Sequence, residues 1–209
     1  MNVLAIGAHY DDIELGCGGS LVKHVKNNDN VLMFVLTDSA YNDYNGAVLR
    51  TKEIASEEGR QAASILGIND LICNGLTTKR VEYNVDLIEK INRIIDERNI
   101  DTIYTHWVHD IHQDHSAIGR ATINAGRHVP RILMYRSNWY ASAIQFHPTF
   151  YVDISEFMQI KIESIKAHKT EYNKFGEKWI DFVKHQNRNS GIEIEVEYAE
   201  SFELIKYLM

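Results

Sequence analysis

The stretch AIGAHYDDIELGCGGSL, residues 5–21, sets an apolar run directly against a histidine and a clump of acids. With Asn2, Val3 and Leu4 ahead of it, the run up to Ala8 reads as a buried β-strand. His9, Asp11, Asp12 and Glu14 follow at its end, and the glycines then lead into a segment with an apolar stripe at Leu21, Val22 and Val25. Strand, turn and helix in that order open a βαβ fold. Desolvating several carboxylates side by side is costly unless something positive sits among them. The fold question and the function question therefore meet in one turn.

Outward from this stretch, short apolar runs alternate with helix-period segments, the pattern of an α/β protein with a mostly parallel sheet. Strands are predicted at Asn2–Ala8, Asn30–Asp38, Asp70–Leu76, Asp101–Trp107, Arg131–Ser137 and Thr149–Ile154. Their continuous apolar character is that of strands covered on both faces. Between them, Thr51–Leu66 reads as a helix stopped by Gly67, and Leu87, Ile88, Ile91, Ile94 and Ile95 form an apolar stripe at helical spacing. Met158, Ile162 and Ile165 belong to a helix expected over Ser155–Tyr172. NRNSG (Asn187–Gly191) reads as a turn, and IEIEVEY (Ile192–Tyr198) as an edge strand with acids on its outer face. The polar and aromatic segment Tyr41–Val48 follows the second strand, where loops line the ligand crevice of such sheets. With no repeat and no linker, residues 1–209 are expected to form a single domain.

Composition narrows the function. The chain is 44% hydrophobic and 24% charged, with a formal net charge of -7, which argues against nucleic acid or an acidic membrane surface as partner. No apolar stretch approaches the roughly 20 residues that span a bilayer. The two cysteines, Cys17 and Cys73, form neither a disulfide framework nor a metal pair, so a cytoplasmic location is expected.

A second cluster, HDIHQDH (His109–His115), follows the fourth predicted strand, at the same edge of the sheet as the first. Two clusters about a hundred residues apart thus converge, and a cation answers the charge problem posed by the opening turn. Mixed histidine and aspartate ligands suit a zinc-class ion, with iron(II) or cobalt as chemical alternatives. The glycines Gly16, Gly18 and Gly19 do not fit a dinucleotide fingerprint, because Leu21 takes the last glycine position. Close helix-to-strand packing accounts for them better.

AHYDDIELGCGGSL resembles the AHPDDxE signature of the LmbE-like, or PIG-L, family of zinc-dependent N-deacetylases, and HQDH is similar to that family's second motif. The similarity extends through FVLTD, ASILGI, YVDIS, KIESIKAHK and YAESF. The resemblance implies a Rossmann-like three-layer α/β/α fold. It also implies His9, Asp12 and His115 as metal ligands and Asp11 as general base. His112 would polarise the acyl carbonyl, with Asp114 orienting His112. The implied reaction is removal of the N-acetyl group from an N-acetylglucosamine-type sugar, a small N-acylated amino-sugar substrate. Tyr10 stands where the family usually has proline, keeping every ligand while giving up the fixed φ.

Tyr10, Arg50 and Arg136 are candidate substrate contacts, alongside His128, Trp139, His147 and Arg188. His109 and Asp110 could support the site or lie at its rim. Glu14 suits the first helix's N-terminal dipole; His24, His168 and His185 read as lying outside the site, and Trp179 reads as packing. Two other functions stay open: hydrolysis of a different small amide, such as a thiol-sugar conjugate or an N-formyl group, and a non-catalytic metal- or carbohydrate-binding module. A homo-oligomer through the aromatic C-terminal segment also stays open.

Overall fold

A computed structural model describes residues 1–208. In chain order it has β1 (Asn2–Gly7), α1 (Asp12–Lys26), β2 (Asn30–Thr37), β3 (Tyr41–Asn42), β4 (Val48–Arg50), α2 (Lys52–Ile65), β5 (Asp70–Leu76) and α3 (Val85–Glu97). There follow β6 (Thr102–His106), α4 (Gln113–Ala125), β7 (Arg131–Tyr135), β8 (Phe150–Asp153), α5 (Met158–Ala167), α6 (Lys169–Phe175), α7 (Glu177–Glu193) and β9 (Ala199–Tyr207).

The two faces of β1 show why the apolar runs are continuous. Val3 and Ala5 pack with Ile13, Cys17 and Leu21 of α1 and with Ala55 and Ala63 of α2. Leu4 and Ile6 pack on the other side with Ile91 and Ile95 of α3 and Ile118 and Ala121 of α4. The seven-stranded sheet runs β5-β2-β1-β6-β7-β9-β8, and its first five strands are mutually parallel. This is the expected three-layer α/β architecture. The chain passes from β1 to β2 on one side and returns to β6 on the other, so β1 and β6 flank the switch point where such sheets hold ligands. Among the described residues no helix is long and apolar enough to cross a membrane.

Several expectations are corrected. NRNSG is not a turn: α7 runs through it to Glu193, because Trp179, Ile180, Val183, Asn187, Ser190 and Gly191 form one buried stripe at helical spacing. IEIEVEY is accordingly not an edge strand, and the last strand is β9, antiparallel to both β7 and β8. The helix expected over Ser155–Tyr172 breaks at His168, whose ψ of 69° leaves the helical region. Tyr41–Val48 is spanned by the short β3–β4 hairpin.

Two glycines of α1 set its approach to the sheet. A Cβ on Gly16 would lie 2.0 Å from the Tyr135 ring, and one on Gly19 would lie 2.8 Å from Ile154. Tyr135 has little freedom to yield, since it is fully buried and its hydroxyl donates to the Ile6 carbonyl at 2.6 Å. Overpacking of this kind costs about 1–3 kcal/mol. Gly16→Ala is therefore expected to lower the unfolding free energy by about 2 kcal/mol in urea denaturation. Gly18→Ala, whose nearest neighbour would stand 3.6 Å away, is expected to gain about 0.5–1 kcal/mol from helix propensity.

α1 is also anchored from the far side. Lys161 of α5 is fully buried and pairs with Glu200 at 2.5 Å while donating to the Leu15 carbonyl at 2.8 Å. Glu200 in turn accepts from the Gly19 and Ser20 amides at 2.9 and 2.7 Å. Helix and sheet are thereby fixed in register behind the turn that carries the acids.

Candidate active site

His9, Asp11 and Asp12 leave the C-terminal end of β1, and His115 lies in the first turn of α4, just after β6. Asp12 is the hub. Its carboxylate accepts from the His9 amide at 2.8 Å and from Ser137 Oγ at 2.9 Å. It also lies 3.2 Å from His9 Nδ1, 3.3 Å from His115 Nε2 and 3.3 Å from His106 Nε2. His115 Nε2 and His9 Nδ1 are 3.3 Å apart, which closes a triangle.

Each imidazole of the triangle is backed by a second carboxylate on its far nitrogen. His9 Nε2 meets Asp114 Oδ2 at 3.1 Å, and His115 Nδ1 meets Asp110 Oδ2 at 3.3 Å. Asp114 is held by the Lys79 and Val81 amides, and Asp110 by the His112 amide and Asn138 Nδ2. Such carboxylate–histidine pairs fix tautomer and ring orientation at metal sites.

Charge within the cluster points the same way. Burial alone would lower both imidazole pKa values, yet Asp114 and Asp12 bring His9 to about 9, and Asp12 and Asp110 bring His115 to about 10. Burial alone would raise Asp12, but His115 and His106 hold it well below the usual carboxylate range. The carboxylates thus make the cluster a place that favours positive charge.

Two donor groups are close enough to share an ion: His9, Asp12 and His115, and His9, His112 and Asp114. In the first, His9 Nδ1 and His115 Nε2 are 3.3 Å apart, and they lie 3.2 and 3.3 Å from the two different oxygens of Asp12. A tetrahedral site with bonds of about 2.0–2.1 Å has ligand–ligand edges of about 3.3–3.4 Å. The two imidazole nitrogens stand at that edge with the Asp12 carboxylate facing both, a donor set that suits a zinc-class ion. In the second group, each Asp114 oxygen accepts a backbone amide and Oδ2 also meets His9 Nε2.

Asp11 stands apart from the triangle. Its backbone is strained, with φ 141° and ψ −26°, and its side chain lines a cavity of about 200 Å³ over the cluster. Burial, followed by the charges of Asp12 and Glu171, pushes its pKa up to about 7. His112 faces the same cavity. Its Nδ1 accepts from the Asp114 amide at 3.3 Å, which leaves Nε2 to carry the proton. Burial and the neighbouring His115 lower its pKa to about 4, so the ring is neutral. A neutral imidazole with Nε2–H is a hydrogen-bond donor to whatever occupies the cavity.

The remaining sequence candidates divide. The Asp114 carboxylate does not orient the His112 ring as expected; it backs His9, and only its amide reaches His112. Tyr10 is not on the cavity wall: its ring is 4% exposed and packs into the core against α2. Arg50 lines the cavity, but its guanidinium is paired with Glu58 at 2.9 Å and lies 3.7 Å from Glu171. Arg136 donates to the Tyr140 carbonyl at 2.7 Å and lies outside the cavity. Alternation past the end of β7 turns Ser137 toward Asp12 and Arg136 away.

Several wall residues escaped the sequence reading. Trp139, Tyr140, Phe175 and Trp179 form an aromatic side, faced by Tyr41, Lys79, Glu171 and Lys174. Trp139 is a candidate from the sequence, and Tyr41 belongs to the Tyr41–Val48 segment expected to line the crevice; the others carry no such signal. His168, read as outside the site, is buried beneath it, 3.1 Å from Glu14 and 3.4 Å from Arg50. His106, within the fourth predicted strand and not singled out by the sequence, is fully buried and lies 3.3 Å from Asp12. Its place as the second residue from the apolar Tyr104, at the end of β6, is the signal that could have found it.

A mostly parallel α/β sheet with paired carboxylate–histidine dyads at its switch point has the form of an enzyme scaffold with donors close enough to hold a metal ion. The particular family follows from comparison: a family model described as PIG-L, GlcNAc-PI de-N-acetylase, matches residues 4–126. The chain belongs to the PIG-L family. It is 33% identical over 177 residues to "Uncharacterized deacetylase YaiS" of Escherichia coli K12, covering 80% of this chain and 90% of that one. It is 26% identical over 187 residues to the diacetylchitobiose deacetylase of Thermococcus kodakarensis, covering 81% and 70%. The N,N'-diacetylchitobiose deacetylase structure from Pyrococcus horikoshii superposes with a TM-score of 0.84 at 20% identity, over 98% of this chain and 83% of that one. That structural likeness carries the fold.

Proposed function

We propose that the protein is a zinc-dependent N-deacetylase that removes the acetyl group from an N-acetylglucosamine-type sugar or glycoside. The observation that carries this reading is the donor group of His9, Asp12 and His115, close enough to share one ion, with Asp11 and His112 outside it on the same cavity wall. A divalent ion held by the triangle supplies Lewis acidity, lowering the pKa of water and polarising a carbonyl.

The chain's own groups do the rest. Asp11 accepts the proton of the attacking water and returns it to the departing amine, so amide and water become acetate and free amine. His112 Nε2–H donates to the oxygen that gains charge as the carbonyl carbon becomes tetrahedral. Asp110 and Asp114 keep His115 and His9 aimed. Trp139, Tyr140 and Phe175 offer flat apolar faces to the C–H side of a sugar ring, and the cavity volume suits about one ring. The relatives' names, diacetylchitobiose deacetylase among them, support the same substrate class.

The test is amine release from a panel of N-acetylglucosamine derivatives, including the free sugar, methyl glycosides and diacetylchitobiose. Release is expected to stop on chelation and return with added zinc. Silence across the panel from protein with stoichiometric zinc would sink the sugar-deacetylase reading and leave the metal site.

A further inference from the structure

We propose that the ring of Tyr10, packed against the bare backbone of Gly59, is a positioning element that holds the His9–Asp12 turn in its working shape. The proposal rests on the reading of that turn as the metal and base site.

The turn needs holding. A residue with a Cβ at φ 141° is in a region that costs about 1–3 kcal/mol, and such a conformation persists only when its surroundings over-determine it. On the C-terminal side of Asp11 the constraint is visible: Asp12 accepts from the His9 amide and from Ser137. On the N-terminal side the peptide that precedes Asp11 is held through Tyr10. Its amide donates to Ser39 Oγ at 2.9 Å, and its carbonyl accepts from Arg50 Nη1 at 3.4 Å. Those two bonds orient the peptide that precedes Asp11, and the ring fixes where that peptide sits.

The ring is wedged. A Cβ built on Gly59 would lie 2.1 Å from Tyr10 Cδ1, 2.6 Å from Cε1 and 3.0 Å from Cγ. Gly59 lies inside α2, where glycine costs about 0.5–1 kcal/mol relative to alanine. The fold tolerates that cost in α2, and the space it opens is filled by this one ring. Ala55 and Ala63 of the same helix, small as well, belong to the same buried cluster. Because the ring points away from the cavity, it acts on the reaction only through the turn. Its loss must therefore show in metal affinity and kcat, with little change in KM.

The experiment measures zinc affinity, by competition with a chromophoric chelator, together with kcat and KM for Gly59→Ala, Tyr10→Ala, their double variant and Tyr10→Phe. Gly59→Ala and Tyr10→Ala are each expected to lower zinc affinity and kcat about tenfold or more. KM is expected to stay within about twofold. In the double variant the added methyl meets no ring, so it should be no worse than Tyr10→Ala alone. Tyr10→Phe, which keeps the wedge, should match wild type.

Tyr10→Leu, which keeps apolar volume without the ring, serves where the alanine variants do not fold, and should show the same loss. Wild-type affinity and kcat in folded Tyr10→Ala or Tyr10→Leu would reduce the ring to core packing and overturn the proposal. So would fully additive damage in the double variant. Wild-type protein that binds zinc but cleaves no sugar amide would overturn the proposed function alone, while the zinc affinities still decide the role of Tyr10.

Discussion

Asp12→Ala is expected to abolish stoichiometric zinc binding and to cut amine release by about a thousandfold or more, the several kcal/mol that Lewis-acid stabilisation supplies. No other residue of the cluster has so many dependants. Removing its carboxylate takes one vertex from the donor triangle and leaves His9, His115 and His106 facing one another without the charge that separates them. The His9 amide and Ser137 Oγ lose their acceptor as well. Inductively coupled plasma analysis of purified protein reads the metal directly, and the amine assay reads the rate. Retained zinc at wild-type stoichiometry would move the ion to the alternative donor group, His9, His112 and Asp114.

The site's centre is legible in the sequence because its chemistry is local. His9, Asp11 and Asp12 share one turn, and His112, Asp114 and His115 share one helix start, so short spacing and a preceding strand locate both. What the sequence conceals is which way each neighbour faces. The family resemblance implied Asp114 as the residue that orients His112, yet the helical turn of α4 carries its carboxylate across to His9. Asp110 could have been rim or support, and only the fold shows that it backs His115.

The periphery fails for a different reason. The aromatic wall comes from Trp139 and from α6 and α7, segments with no motif and no fixed spacing from the donors. Tyr10 sits between two site residues, which invites a binding role; a glycine 49 positions away decides otherwise by leaving a slot for its ring. The missed end of α7 has the same origin. Its buried stripe continues in Asn187, Ser190 and Gly191, residues whose composition signals a turn while their spacing is helical. Turn propensity is a local preference, and packing against β9 overrides it.

Asp11→Asn separates binding from chemistry. Asparagine matches aspartate in shape, and it tolerates positive φ better than most residues, so the strained turn should survive the change. The donors His9, Asp12 and His115 are untouched, and zinc should bind at wild-type stoichiometry. An amide oxygen, however, does not take up a proton at neutral pH. General-base catalysis contributes about a hundredfold to ten-thousandfold, so kcat is expected to fall by about that factor with KM little changed. Glu171 is the cavity carboxylate that could compensate, but it accepts from Tyr41 at 2.6 Å and lies 3.7 Å from the Arg50 guanidinium. A carboxylate so engaged is a poor proton acceptor. Full activity in zinc-loaded Asp11→Asn would therefore remove Asp11 from the reaction and require Glu171 to be freed by a movement of α6, which a second substitution, Glu171→Gln, would expose.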